Sequence, residues 1–239
     1  MMKMTKTLFT FGLLMSLAIA LQPLWGQRRG NGQVVRETRD LANFSAIDVG
    51  GAFEVYLTQG PFSVEIEADE NLMAVIVTEV KNGRLHIYTD GRGINRAEKL
   101  NLYLSLPELK GLDLSGATEV VAQSTFTTPF LQIDVSGAAQ LSLDLAVEEL
   151  HFESSGAAEA TLQGSATKAL IGMSGASELK AAAMTNQLME VHQSGASEAH
   201  VHCVGDIQAS LSGGSDLRCS GNPASHRIDR SGAASVRML

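Results

Sequence analysis

The chain has few aromatic residues and little cysteine or proline. Of its 239 residues only 5% are aromatic, two are Cys and five are Pro. So few rings exclude a core built on aromatic packing, and two Cys allow one disulfide at most. A hydrophobic fraction of 44% nevertheless excludes a disordered chain. The core must therefore come from aliphatic and small side chains.

Basic charge is also scarce. The sequence has 18 Lys and Arg against 26 Asp and Glu, which gives a formal net charge of −8. Nucleic acids and anionic membrane surfaces are bound by clustered Lys and Arg. The charge balance therefore argues against both as partners.

The first 26 residues differ from the rest. Lys3 and Lys6 precede an almost wholly apolar run from Leu8 to Leu21, which is short for a membrane span. We interpret residues 1–26 as a signal peptide, with a retained anchor as the alternative, and residues 27–40 as an N-terminal extension. The protein is then exported to the periplasm, the cell surface or the medium.

Export places Cys203 and Cys219 in a compartment where a disulfide persists. The sequence leaves two interpretations open, a bridge between them or two separately buried thiols.

A Ser-Gly-Ala or Ser-Gly-Gly motif recurs at intervals of 18 to 21 residues. The seven copies begin at Ser115, Ser136, Ser155, Ser174, Ser194, Ser212 and Ser231. Such even spacing indicates an internal repeat. Three residues before each Ser, and five and seven residues after it, the side chain is apolar, and this alternation with period two is typical of a strand.

A strand–turn–strand unit cannot bury its apolar side alone, so the copies must stack about 4.8 Å apart. The sequence predicts an all-β fold, a parallel β-helix or β-solenoid with coils of about 19–21 residues. One interior column is expected to contain Leu112, Ile133, Phe152, Ile171 and Val191. A leucine-rich repeat has a similar period, but its consensus does not recur.

The turn has its own expected pattern. The Gly of each motif is expected to adopt a positive φ angle. The residue after it, as at Ala176, is expected to lie at a tight interior corner, where a Leu would overpack the core.

Residues 41–111 contain a fainter copy of the repeat, in which Gly50 replaces the Ser. The pair Asn82-Gly83 is either a two-residue hairpin or a corner of a further coil. We expect an irregular β half over 41–111 that caps the regular repeats of 112–239, the two forming one continuous domain.

The segment Phe44-Ser45-Ala46-Ile47-Asp48-Val49, the element Asn82-Gly83-x-Leu85-x-Ile87 and the Ser-Gly-Ala units together resemble the GIN-type head domain of autotransporter adhesins. These are exported bacterial envelope proteins, and the resemblance covers nearly all of residues 40–236. It implies a right-handed β-helix-like fold and a non-enzymatic role in the envelope. It supplies no binding residues.

Folds of stacked coils also host polysaccharide lyases and hydrolases, which need acids that converge on neighbouring coils. No Ser of the repeat is singled out by a His and an acid, so the Ser column is interpreted as structural. We expect a non-enzymatic binding, adhesion or scaffolding module for an envelope or extracellular protein or a glycan. The alternative is a carbohydrate-active β-helix enzyme. No cofactor is expected.

Stacking would also align an acidic ladder four residues after each Ser. Its carboxylates are Glu119, Glu159, Glu178, Glu198 and Asp216, with Gln140 and Ser235 completing the column. The ladder is either a solvated face or a weak Ca²⁺ site.

Two further features are open to more than one interpretation. The sequence His200-x-His202, with His192 nearby, is either a surface metal site or a solvated strand face. The strand edge of the last coil is expected to bind a second copy or another partner.

Overall fold

The structure is a computed structural model that describes residues 28–91 and 93–239. The predicted signal peptide lies outside the described residues. Within them the one helix is a 3₁₀ helix, Glu70–Val75. The strands are β1 (Arg28–Arg29), β2 (Val34–Arg39), β3 (Ala46–Gly51), β4 (Glu54–Gln59), β5 (Ser63–Asp69), β6 (Ile76–Lys81), β7 (Arg84–Thr89), β8 (Ile94–Arg96), β9 (Leu100–Leu106), β10 (Gly111–Gly116), β11 (Glu119–Val135), β12 (Gln140–Ser154), β13 (Glu159–Met173), β14 (Glu178–Gln193), β15 (Glu198–Leu211), β16 (Asp216–Ser220), β17 (Ser225–Arg230) and β18 (Ser235–Met238).

The C-terminal half is a β-solenoid. Strands β11 to β15 each follow one coil, and each pairs in parallel with the strand of the next coil. Ile133 of β11 lies opposite Phe152 of β12, which in turn lies opposite Ile171 of β13. The stack has about seven turns. The prediction of an all-β solenoid from the repeat is confirmed.

The interior is filled by columns of like side chains. Leu112, Ile133, Phe152, Ile171 and Val191 are each at most 2% exposed and belong to one continuous hydrophobic cluster. Because each coil offers apolar side chains only on its inner side, a coil is stabilised chiefly by the coils above and below it.

In each turn the close contact with the preceding coil is made at the Gly and not at the Ala. Gly175 has a φ angle of 78°, and a Cβ atom there would lie 2.5 Å from the carbonyl oxygen of Gly156 in the preceding coil. The turns approach this closely because the amide of Ala176 donates a 2.8 Å hydrogen bond to that same oxygen.

The expectation for Ala176 is wrong, because its side chain is exposed. The positive φ angle of Gly175 turns the chain so that the following residue points to solvent and the next one points inward. That inward residue is Ser177, which is 2% exposed and donates a hydrogen bond to the carbonyl oxygen of Ser174 at 3.2 Å. The same bond is made by Thr118, Ser197 and Ser215.

The N-terminal half departs from the solenoid. Asn82 and Gly83 both have positive φ angles and join β6 to β7 as an antiparallel two-residue hairpin. Strand β5 is likewise antiparallel to both β2 and β9. Strands β3 and β4 continue the parallel stack, with β3 between β7 and β10 and β4 between β9 and β11. The antiparallel strands therefore cover this end of the coils.

A buried carboxylate fixes the N-terminal strands. Asp69 is fully buried and accepts hydrogen bonds from the backbone amides of Gly32 at 2.6 Å, Glu98 at 2.8 Å and Lys99 at 3.4 Å. Burial by itself raises the pKa of Asp69, but these donors outweigh it and the pKa lies below its usual value. The charged carboxylate thus links the segment after β1 to the loop before β9.

Candidate binding groove

A surface groove follows the stack beside the Ser-Gly-Ala turns. It consists of two adjoining cavities of about 450 and 700 Å³, which share Glu153 and Ser174 in their linings. The lining extends from Asp48 in the first coil to Asp229 in the last. Seven steps between coils separate these ends, so the groove is about 34 Å long.

One wall of the groove is the column of motif serines. The Ser136 hydroxyl donates to the carbonyl oxygen of Leu114 at 3.1 Å, and the Ser174 hydroxyl donates to that of Ser154 at 3.4 Å. In the described part of the chain none of these serines has a His or a carboxylate as its hydrogen-bond partner. The serines therefore lack the arrangement of a catalytic triad, and their oxygens keep acceptor capacity on the groove side.

The other wall carries a second acidic column, two residues before each Ser. Asp48, Asp113, Asp134 and Glu153 lie opposite one another in successive coils. Asp48 contacts His86 at 2.9 Å, Asp113 forms an ion pair with Arg84, and Asp134 accepts from Gln132 at 2.8 Å.

Glu153 has neither an ion pair nor a hydrogen bond within the described residues, and its side chain is exposed. It extends over Gly172 of the next coil, where an added side chain would have to displace its carboxylate. Beyond Gly172 the column continues as His192, Ser210 and Asp229. The negative charge of the groove is therefore concentrated in its N-terminal part.

Sequence reasoning missed this second column. The signal was present, because the position two residues before the Ser is acidic in several copies. The first ladder gives the stronger signal, since its acidic residues run through more of the copies.

The predicted ladder is in register, on a different face of the stack. Glu119 lies opposite both Glu54 and Gln140, and the column continues through Glu159, Glu178, Glu198 and Asp216.

Basic residues two positions further along the strands neutralise much of this ladder. Lys180 pairs with Glu159 and lies 3.5 Å from Glu178, and its hydrogen bond to Glu159 raises the pKa of Lys180. Arg218 pairs with Glu198 and Asp216 at 3.1 Å each. Among the residues that the structure describes, no group of three His, Cys, Asp or Glu is arranged to hold a metal ion. Ca²⁺ binding by the ladder stays a prediction.

The histidines that the sequence offers as metal ligands contact different partners. His200 contacts Glu198 at 2.8 Å and Arg218 at 2.9 Å, and His202 contacts the Ser220 hydroxyl at 3.0 Å. His192 contacts Glu190 at 2.9 Å, so each imidazole has its own partners.

Both cysteines are free and buried. Burial raises the pKa of the Cys203 thiol and, with the neighbouring Cys203, that of the Cys219 thiol to about 11. Such thiols are poor nucleophiles, because the reactive species is the thiolate.

Solved structures share this fold. A putative adhesin from Bacteroides fragilis superposes with a TM-score of 0.82 at 20% identity, covering 89% of this chain and 100% of its own. A putative adhesin from Parabacteroides distasonis gives 0.73 at 20% identity, covering 88% and 99%. A putative lipid binding protein from the same species gives 0.71 at 19% identity, covering 90% and 100%. At these identities the likeness shows the fold alone.

Two further findings are negative. No curated protein matches this sequence. In the described part of the chain, no helix is long and apolar enough to span a membrane.

The sequence itself carries the family assignment. Residues 43–223 match the family model described as "Putative auto-transporter adhesin, head GIN domain". That description implies an exported protein of the cell envelope, and it agrees with the resemblance seen in the entry segment, the Asn82-Gly83 element and the Ser-Gly-Ala turns. The chain therefore belongs to the family that this model describes, the head GIN domain family.

Proposed function

We propose that this protein is a non-enzymatic adhesion module of the bacterial envelope, and that its groove binds an extended glycan. The observation that carries the proposal is the groove itself, which presents a Ser hydroxyl at seven successive turns, from Ser115 to Ser231, over about 29 Å. A polymer with a regular repeat can meet such a surface with one weak contact for each coil, and many weak contacts together give useful affinity.

The chemistry of the walls favours sugar hydroxyls and amines. Serine hydroxyls both donate and accept hydrogen bonds, and carboxylates accept them strongly from hydroxyl and ammonium groups. Asp134 and Glu153 have no basic partner among the described residues, so an anionic glycan would be repelled from the N-terminal part of the groove, while Arg230 lies in the lining at the C-terminal end. The expected ligand is therefore a neutral or amino-substituted glycan.

The name of one solved relative refers to lipid. A lipid ligand would require an enclosed apolar cavity, whereas this groove is open to solvent. Leu114, Val135, Met173 and Leu211 lie in its lining, but most of its lining residues are Ser or acidic. The interior columns are filled by their own packed side chains. These features support a glycan over a lipid for this chain.

The proposal is tested by binding to an array of neutral, amino-substituted and acidic glycans, followed by calorimetry on the best ligand. Replacing Glu153 by Gln should weaken binding about threefold to tenfold, the loss of one charge-assisted hydrogen bond on an exposed wall. Glu148→Gln is the matched control, since Glu148 is exposed on the same strand but outside the groove. Equal affinities of the two variants, or a preference for acidic glycans, would contradict the assignment of the groove.

The same ligands distinguish adhesion from catalysis. Neighbouring carboxylates such as Asp134 and Glu153 are also what a glycosidase uses. Release of reducing ends or unsaturated products by the protein, abolished in Glu153→Gln, would replace the adhesion proposal by the enzymatic alternative.

A further inference from the structure

The last coil offers a strand with one unpaired edge. Strand β17 pairs with β15 along one side in unbroken parallel register from Ser225 to Arg230. On its other side it has no partner strand among the described residues. A row of backbone amides and carbonyls therefore faces outward, and such an edge pairs readily with another strand.

Strand β17 lacks two of the features that block pairing. No Pro lies within it, and its register with β15 contains no bulge. Protected edges commonly carry Lys or other charges that repel a second copy. Here the charges have both signs, since Arg227 and Asp229 flank Ile228 on the outer face and Arg230 follows Asp229. Arg227 and Asp229 form an ion pair with each other at 3.6 Å, but their side chains are 77% and 70% exposed, so both can contact a partner instead.

The two charges beside Ile228 are self-complementary in an antiparallel pair, whereas His226 would lie opposite Arg230. If Ile228 of one copy lies opposite Ile228 of another, then Arg227 of each copy lies opposite Asp229 of the other. Opposite charges directly across an antiparallel pair are stabilising, and this arrangement makes two such pairs. Ile228 also ends the interior column that runs through Ile171, Val191 and Ala209, so its contact with the second Ile228 would continue the core.

We propose that two copies of this protein associate through antiparallel pairing of their β17 strands about a two-fold axis at Ile228. The arrangement is isologous, which is how most homodimers close. Head-to-tail stacking is disfavoured because the opposite end of the molecule presents antiparallel strands instead of a parallel coil. A pair of six-residue strands is small for an interface, so the dimer is weak and depends on concentration.

The test is sedimentation velocity over a range of protein concentrations. It compares the parent with charge-reversal variants, because the two-fold axis brings each reversed charge opposite a like charge at two places. Arg227→Asp places Asp opposite Asp229 twice, and Asp229→Arg places Arg opposite Arg227 twice. Each single variant should weaken association about tenfold or more. The double variant restores both opposite-charge pairs, so the dissociation constant of its dimer should lie within about threefold of the parent's.

Lys110→Asp is the control, because it changes the net charge by the same amount as Arg227→Asp at an exposed position next to β10, several coils away from β17. It should leave association unchanged. Circular dichroism of each variant checks that the fold is retained. A protein that stays monomeric at the highest concentrations overturns the proposal. A dimer that is indifferent to the single reversals, or that the double variant fails to restore, overturns it as well.

Discussion

Replacing the turn glycine Gly175 by Ala tests how the coils are held together. The positive φ angle of 78° costs a non-glycine residue about 1–2 kcal/mol. The new Cβ would lie 2.5 Å from the Gly156 carbonyl oxygen, so the two turns must separate and the hydrogen bond from Ala176 to that oxygen must lengthen or break. Loss of that bond adds about 0.5–1.5 kcal/mol. We expect Gly175→Ala to lower the free energy of unfolding by about 2–3 kcal/mol.

The assay is urea unfolding followed by circular dichroism, compared with Gly32→Ala. Gly32 has a similar φ angle of 77°, but nothing lies within 4 Å of a Cβ placed there. The control therefore contains the cost of the backbone conformation without the close approach between coils. If Gly175→Ala lowers the free energy of unfolding no more than Gly32→Ala does, the turns do not depend on close contact and the reasoning is refuted.

Four further outcomes are expected. Ala176→Leu should change the free energy of unfolding by less than about 0.5 kcal/mol in the same urea assay, because the side chain is exposed. A loss above about 1 kcal/mol would indicate that the side chain at position 176 is buried. The pKa of Asp69 is lowered in the folded state, so the stabilisation by its carboxylate is present above the pKa of the unfolded state and is lost as the pH falls through the pKa of the folded state. Asp69→Asn should therefore lower the thermal midpoint at neutral pH, and the difference in midpoint from the parent should shrink below about pH 4. If the ladder binds Ca²⁺, millimolar Ca²⁺ should raise the thermal midpoint less in Glu178→Gln and Glu198→Gln than in the parent, and an unchanged parent midpoint contradicts binding. The buried Cys219 should react with a thiol reagent only after unfolding, and rapid labelling of the native protein would contradict its burial.

The regular half of the fold could be predicted because its signal is repeated. Each interior position recurs in every coil, so the repeat alone assigns Phe152 and Ile171 to equivalent places in one column. The orientation of Ala176 could not be predicted in this way. It depends on how far the chain turns at Gly175, and an exposed Ala column repeats just as faithfully as a buried one.

The N-terminal half and the groove were harder to predict for a different reason. Antiparallel strands such as β5 and β9 are paired by contacts that no repeat encodes, and Asn82-Gly83 fits both a hairpin and a corner. The residues of the acidic column follow from the repeat register. Their position beside the serines depends on the angle between the strand and the turn, which is a property of the folded coil.

The hydrogen bonds between turns have a consequence for how such a molecule changes its size. Each turn amide donates to the glycine carbonyl of the preceding coil, as Ala157 does to Gly137 and Ala176 to Gly156, both at 2.8 Å. Every coil thus accepts and donates the same hydrogen bonds between turns. A duplicated coil would therefore fit between two existing coils and make these same hydrogen bonds to both. A gene that gains or loses one repeat unit would lengthen or shorten the groove by about 4.8 Å and leave its two ends unchanged. The length of the proposed binding surface is therefore a quantity that whole-repeat duplication can adjust in equal steps.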